Sequence, residues 1–456
     1  DQLKLAAVRY RTGNDYWAGP LTDDGTAEII PEQCVKYDQH FAISRDEVEE
    51  FNAWFNAGLY DQQNGTNTQQ NDFPNYEIPE SILDWPAHGD PSLGQDFYLA
   101  PFYDRNKDGV YNPTDGDYPW YDIEKEIDCK TNRTVTLFGD KTLWWVMNDK
   151  GNIHTETGGD PLGMEIRSQA FAFATNDEVN NMTFYNYELI NRSTQTLYNT
   201  YFGVFVDVAM GDPFDDYVGC DVGRGLGYAY NGDAFDGNTQ GFMGYGNQPP
   251  AIGVDFFEGP YQDNDGIDNQ FGIGPGQAVE GNGLGYSDGI IDNERFGMRR
   301  FIYYNNLGNG NVNQTDPITA TDYYNYLRGI WKDGTKFVYG GTGHISSAGP
   351  DASIPCDFMF PGASDPQGWG TGGLSLPPWT EVTAGNQPYD RRFAQSAGPF
   401  VLEPGAVNNI TVGVVYARAN SGSPFESVVE LRKADDKAQA LFDNCFRVMD
   451  GPEAPN

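Results

Sequence analysis

Alternation of polar and apolar positions is the clearest signal in the chain. In NMTFYNYELINRS (181–193), Phe184, Asn186 and Glu188 interleave with Tyr185, Tyr187 and Leu189, so an extended segment has one polar-rich and one aromatic or aliphatic face. This predicts a strand in a sheet covered on one side only. VTLFGDKTLWWVMND (135–149), MEIRSQAFAFAT (164–175) and TLYNTYFGVFVDVAM (196–210) are similarly rich in β-branched and aromatic residues and are separated by polar turns, which predicts four consecutive antiparallel strands. Strand character returns at MRRFIYYNN (298–306) and GTKFVYGG (334–341). It closes with GPFVLEPG (398–405) and NNITVGVVYARA (408–419), which read as a hairpin about a Pro-Gly turn. The opening QLKLAAVRY also reads as a strand, one that starts abruptly, as in a processed or truncated precursor.

Two stretches carry helical period instead. In ISRDEVEEFNAWFN (43–56), Ser44 and Glu47 are spaced as a capping box, Ile43 and Val48 as a hydrophobic staple, and Val48, Phe51 and Phe55 share one face. Near the other end, Ser423, Pro424 and Glu426 supply a cap, a first-turn proline and a box partner. Val428, Leu431, Ala438, Leu441 and Cys445 form the stripe that would dock on the sheets. Residues 57–75 are Gln/Asn-rich and read as an exposed loop, and 231–300 are dominated by Gly, Asp and Asn. The expected fold is mainly β: an antiparallel β-sandwich, jelly-roll or Ig-like, with long Gly/Asp-rich insertions and a few short helices. Its expected parts are a loop-rich region (1–130), a discontinuous sandwich with a C-terminal helix (131–235 and 335–456) and an acidic insertion (236–334).

Composition narrows the partners. The 456 residues carry a formal net charge of −38, which repels nucleic acid and anionic membranes and attracts cations. Aromatic residues make up 14%, far from the profile of a disordered acidic tail. No apolar run is long enough to span a membrane, and the first residues lack signal-peptide order. The five cysteines, Cys34, Cys129, Cys220, Cys356 and Cys445, have no zinc-like spacing, so two disulfides and one free thiol are expected.

The attraction for cations has a specific address. In DRNKDGVYNPTD, Asp104, Asn106 and Asp108 occupy positions one, three and five of a calcium loop. Gly109 takes the turn, Val110 offers its carbonyl at seven and Asp115 closes at twelve. The flanks PFY and YNP are not helical, which makes this a helix-free relative of the EF-hand loop. A second cluster, Asp263, Asp265 and Asp268, repeats the alternation, with Asp288, Asp292 and Glu294, and also Asp255, as partners from farther along the chain. Calcium is expected in a structural role at both.

Catalytic signals are weaker. None of His40, His88, His154 and His344 has a second histidine at zinc-hydrolase spacing, and no GxSxG elbow is present. Trp144 and Trp145 read as core, whereas Trp369 and Trp379 sit in Gly/Pro-rich loops and are candidate glycan platforms.

Several phrases, among them FGDKTLWWVMNDKGNIHTETGGDPLGMEI, GVDFFEGPYQDNDGIDN, DGIIDNERFGMRRF and SAGPFVLEPGAVNNITVGVVYARA, resemble a group of large secreted proteins of the phylum Bacteroidota that usually end in a type IX secretion sorting domain. The resemblance covers nearly the whole chain. It implies export and display at the outer cell surface, although this sequence stops at GPEAPN without that domain, and it carries over no catalytic residue. The resulting expectation is a calcium-stabilised extracellular structural or adhesive protein, self-assembling or bound to other surface proteins or glycans. A secreted hydrolase of glycans or peptides and a carbohydrate-binding module are the alternatives.

Overall fold

The alternating segment 183–191 lies near the middle of the largest sheet in a computed structural model, which describes residues 3–8, 13–125, 127, 136–262, 264–274, 277–306 and 311–447. The strands that build the two main sheets are β1 (Trp17–Ala18), β2 (Phe41–Ser44), β3 (Lys141–Asn148), β4 (Met164–Ala172), β5 (Thr183–Asn191), β6 (Leu197–Asp207), β7 (Asp216–Asp221), β8 (Leu226–Asn231), β9 (Ala251–Glu258), β10 (Arg300–Asn305), β11 (Arg391–Leu402) and β12 (Val407–Ala417). The principal helices are α1 (Arg45–Asn64), α2 (Ala320–Leu327) and α3 (Phe425–Asp443). The larger sheet has the order β1-β3-β4-β5-β12-β9-β8-β7, with β2 sharing the outer edge of β3 beside β1; the smaller is β10-β11-β6. Every ladder in both is antiparallel. The protein is mainly β.

The aromatic face read from the alternation turns to the core, but the expectation of a sheet covered on one side only is corrected, because helices pack on the other face as well. Tyr185, Tyr187 and Leu189 join a hydrophobic cluster that also takes Val254, Phe256, Ile410 and Val412 from the larger sheet and Phe301, Tyr303, Phe393 and Phe400 from the smaller. Fully burying each such side chain contributes about 1.5–3 kcal/mol. The opposite face is covered in two ways. Val428, Leu431, Ala434, Ala438 and Leu441 of α3 pack on Phe171, Phe184, Leu226 and Tyr228. At the other end, Val48 and Phe51 of α1 pack with Ile43, Trp85, Tyr121 and Trp144.

The α1 start forms as expected: Ser44 Oγ accepts the Glu47 N–H at 3.2 Å and Glu47 Oε2 accepts the Ser44 N–H at 2.8 Å. Other expectations are corrected. α1 runs on through Asn64 and a short helix covers Thr68–Asp72, because Gln and Asn are acceptable helix formers and the Asp61 carboxylate takes the Thr68 and Gln69 N–H groups. Ser423 does not cap α3 with its side chain; Pro424 occupies that position and Glu426 makes no box. Among its described residues, 3–8, the opening strand reduces to a single bridge between Lys4 and Asp160, and 334–341 contributes only isolated bridges. The last two strands are not a hairpin. β11 pairs with β6 and β10, β12 pairs with β5 and β9, and the Pro-Gly turn carries the chain from one sheet to the other. The stretch expected as an insertion supplies β9 and β10, so it is part of the sheets.

Two buried ion pairs attach the 311–390 segment to β11. Arg391 Nη2 meets Glu381 Oε2 at 2.7 Å, and Arg392 Nη1 meets Asp316 Oδ1 at 2.6 Å. Glu381 also accepts the Val218 N–H at 2.9 Å, so one buried carboxylate joins β7 to β11. Removing either partner would strand a buried charge.

Candidate functional site

A two-residue ribbon, Phe102–Tyr103 paired with Tyr118–Pro119, clasps the Asp104 loop. Within it, Asp104 Oδ1 accepts the Lys107 N–H at 2.6 Å and Asp104 Oδ2 that of Gly109 at 2.7 Å; Asn106 Oδ1 takes Asp108 N–H at 3.0 Å and Asp108 Oδ1 takes Val110 N–H at 2.8 Å. Lys107 and Gly109 sit in the left-handed region, with φ of 62° and 80°, which curls the backbone around the side-chain oxygens. Asp115 departs from expectation. It is exposed and holds the Asn112 amide at 2.7 Å.

The buried carboxylate of the loop is instead Asp117, which accepts the Arg105 and Asn112 N–H groups, each at 2.9 Å. Burial first, and then the charges of Asp104 and Asp108, raise its carboxyl above the ordinary range. Sequence reading passed over Asp117 because the twelve-residue template ends two positions earlier. Asp104, Asp108 and Asp117 thus gather three carboxylates about one turn, each already accepting backbone N–H groups.

The second cluster is assembled from the two segments expected. Asp292 Oδ1 accepts the Gly266 N–H at 2.7 Å and Asp268 Oδ2 the Gly289 N–H at 2.8 Å, so each loop's aspartate grips the other's glycine. Asp265 and Asp288 fold back on their own loops, taking the Ile267 and Ile290 N–H groups. Glu294 is buried and accepts from Asn269. Asp268 Oδ1 and Asn293 Oδ1 are buried without a hydrogen-bond partner. Asp263 lies outside the described residues. Asp255 is not part of this set: it faces Asp435 beneath α3.

The Asp104 loop also forms one rim of a cavity of about 350 Å³ whose floor is the polar face of β4 and β5. Arg167 faces Glu188 across the ladder and Gln169 faces Asn186, while Phe102, Trp120 and Trp144 line the walls. Gln169 Oε1 is buried there without a partner. Burial raises the Glu188 carboxyl against the pull of Arg167. Such a lining suits a small ligand with hydroxyl groups and an apolar face. The alternation of 184–189 contained the signal for this floor, but only the fold shows what covers it.

Other candidates have structural roles. His88 Nε2 accepts the Tyr111 N–H at 2.8 Å and so anchors the Asp104 loop. His154 is held between the Leu5 and Asp149 carbonyls. His344 lies between Asp333 Oδ2 at 2.9 Å and Ser346 Oγ at 2.8 Å, an order suggestive of a hydrolytic triad. However, the Ser346 N–H and the Asn311 amide also approach the same Nδ1, at 3.1 and 3.3 Å, so that nitrogen closes a turn and is not reserved for a nucleophile.

Of the two candidate glycan platforms, Trp379 is corrected and Trp369 keeps part of its surface exposed. Trp379 is buried against Phe360 and Tyr339, with its indole N–H donating to the Gly341 carbonyl, and Trp369 packs half-buried on the same core. Cys34, Cys220 and Cys356 are free thiols, which leaves room for one disulfide at most and overturns the expected two. Cys445 is not among the free thiols, and Cys129 lies outside the described residues.

Among the described residues, no group of three or more His, Cys, Asp or Glu side chains stands as a preformed metal cage, and no helix is long and apolar enough to cross a membrane. No protein-family model matches the chain, and no curated protein is significantly similar to it.

Proposed function

We propose that this chain is a calcium-stabilised structural or adhesive protein of the outer bacterial surface, a β-sandwich that associates with copies of itself through the free edge of β6. That edge carries the reading. All 11 residues of β6 lie at the border of the smaller sheet, β11 is their only partner strand among the described residues, and all but Leu197 are exposed or partly exposed. The Tyr324 hydroxyl of α2 donates to the Asn199 carbonyl at 2.9 Å, and the rest of the edge offers backbone donors and acceptors to an incoming strand. Beside it, Ile166, Tyr187, Leu189, Phe202 and Val204 line a trough of about 1350 Å³, apolar surface for alternate side chains of a docked segment. Calcium serves this role twice: it holds the acidic loops, and it screens a net charge of −38 that otherwise keeps copies apart. The resemblance to secreted Bacteroidota proteins supports the location.

Sedimentation velocity of the full chain over a range of concentrations in millimolar calcium tests the assembly. Concentration-dependent dimers or longer species are expected, and Val204→Lys, which sets a charge on the edge strand, should remain monomeric. A wild-type chain that stays monomeric at every concentration overturns the proposal.

A further inference from the structure

A third acidic cluster, absent from both loops above, occupies the end of the larger sheet where β7 begins and β8 ends. Asp212, Asp215 and Asp216 come from the turn after β6 and its junction with β7. Asn231 is the last residue of β8, and Asp233 and Asp236 follow in the next turn. Register brings the segments together, because Asp216 and Asn231 are cross-strand partners. Backbone bonds then tie the turns: the Asp212 N–H donates to Asp236 Oδ1 at 3.0 Å and the Gly232 N–H to the Asp215 carbonyl at 2.6 Å. Gly211, at φ 66°, leaves room for the Asp236 carboxylate where a Cβ would overlap it.

The Met210, Phe214, Phe235 and Tyr245 N–H groups and the Asn231 amide donate into the cluster, yet acceptors outnumber them. Asp215 Oδ1, Asp216 Oδ1 and Asn231 Oδ1 are buried with no hydrogen-bond partner, and Asp216 and Asn231 are completely buried. Asp212 and Asp236 are also buried. Burial and then the charges of Asp212, Asp236 and Asp233 push the Asp215 carboxyl up to about 7; burial and then Asp215 raise Asp216 further. Arg391 and Arg392, from the neighbouring strand, are already paired with Glu381 and with Asp316 and Asp207.

A proton would satisfy one oxygen at a time and leave the amide oxygen of Asn231 to compete for it. A hard divalent cation accepts carboxylate and amide oxygens together, and it offsets the repulsion that burial strengthens. The exposed Asp233 leaves the cluster open to solvent on one side.

We propose that the Asp212–Asp216 turn and the Asn231–Asp236 turn jointly bind one calcium ion through Asp215, Asp216 and Asn231, with Asp212 and Asp236 completing the oxygen set. The side chains do not form a preformed cage, so the ion draws the two turns together and locks the β6–β7 connection onto the exit of β8. The proposal stands apart from the Asp104 and Asp268 loops and from the assembly of copies.

The test uses the full chain, stripped of metal and dialysed to equilibrium against radioactive calcium. Asp216→Asn is expected to bind one ion fewer than wild type, and the double variant Asp104→Asn/Asp108→Asn to lose a different one. Melting should cross over: in chelator Asp216→Asn melts at or above wild type because repulsion is relieved, and in saturating calcium it melts below. Unchanged calcium stoichiometry in Asp216→Asn overturns the site. Should that variant fail to fold, anomalous diffraction from wild-type crystals soaked in terbium decides, and absence of a peak between Asp216 and Asn231 overturns the proposal. A peak there with none at Asp104 sustains it while removing the calcium reading of that loop.

Discussion

The sheet body and the acidic loops are held by opposite kinds of contact. In the body, Phe301, Trp331, Phe337 and Phe393 have no exposed surface, and regular ladders satisfy the backbone. In the interlocked loops, Ile267, Ile290 and Ile291 remain 56%, 58% and 59% exposed, so their apolar groups build no core. What fixes those loops is a set of carboxylates gripping backbone N–H groups across the gap. The body draws its stability from solvent exclusion, which binding of a specific ion does not control. The loops concentrate negative charge, and their rigidity depends on what neutralises it.

The sharpest test of this division is Trp331→Ala. Removing a fully buried indole from the shared core should cost about 3–5 kcal/mol in urea unfolding, equally with and without calcium. A loss that appears only in chelator would break the distinction. A smaller effect comes from the boundary between the two regimes, where Asp435 on α3 meets Asp255 on β9, both buried, with Asp221, Arg224, Arg432 and Asp436 around them.

Burial pushes the Asp435 carboxyl up to about 7 against the pull of Arg224. The folded state therefore holds a proton that the unfolded state has released, and this contribution is full below the ordinary carboxylate range and lost as pH rises through about 7. Thermal melting should fall from about pH 5 to about pH 8, and Asp435→Asn should flatten that slope and melt higher at the alkaline end. A slope unchanged in Asp435→Asn refutes the assignment. The smallest effect belongs to the Asp104 loop: calcium at ten times its dissociation constant adds about 1.4 kcal/mol to a folded state that alone binds it. Asp104→Asn/Asp108→Asn should lose this increment in paired calorimetric scans with and without chelator, and an undiminished increment refutes the loop as its source.

Local chemistry made much of this legible in the sequence. Ser44 and Glu47 gave the start of α1, the 184–189 alternation gave both faces of β5, and the Asp-x-Asn-x-Asp-Gly spacing gave the curl of the Asp104 loop. What stayed hidden depends on long-range pairing. A Pro-Gly turn looks the same whether the next strand returns to its neighbour or crosses to another sheet, as β11 and β12 do. Ala251–Glu258 reads as a short apolar run in Gly-rich surroundings, and only its pairing with β8 and β12 places it inside the larger sheet. The Asp216–Asn231 pair is set apart by burial and cross-strand pairing, not by spacing along the chain. Trp379 shows the reverse error, since a Gly/Pro-rich context suggests exposure while Phe360 and Tyr339 enclose it.

The placement of β12 has a mechanical consequence. It is laddered on both sides, to β5 and to β9, and leads directly into α3, whereas β1 and β2 hold only the outer border of β3. Tension applied through α3 must slide two ladders past each other at once, but tension on β1 and β2 opens their bonds one after another. A chain pulled from α3 is expected to resist longer than one pulled from β1, which loses a single short ladder.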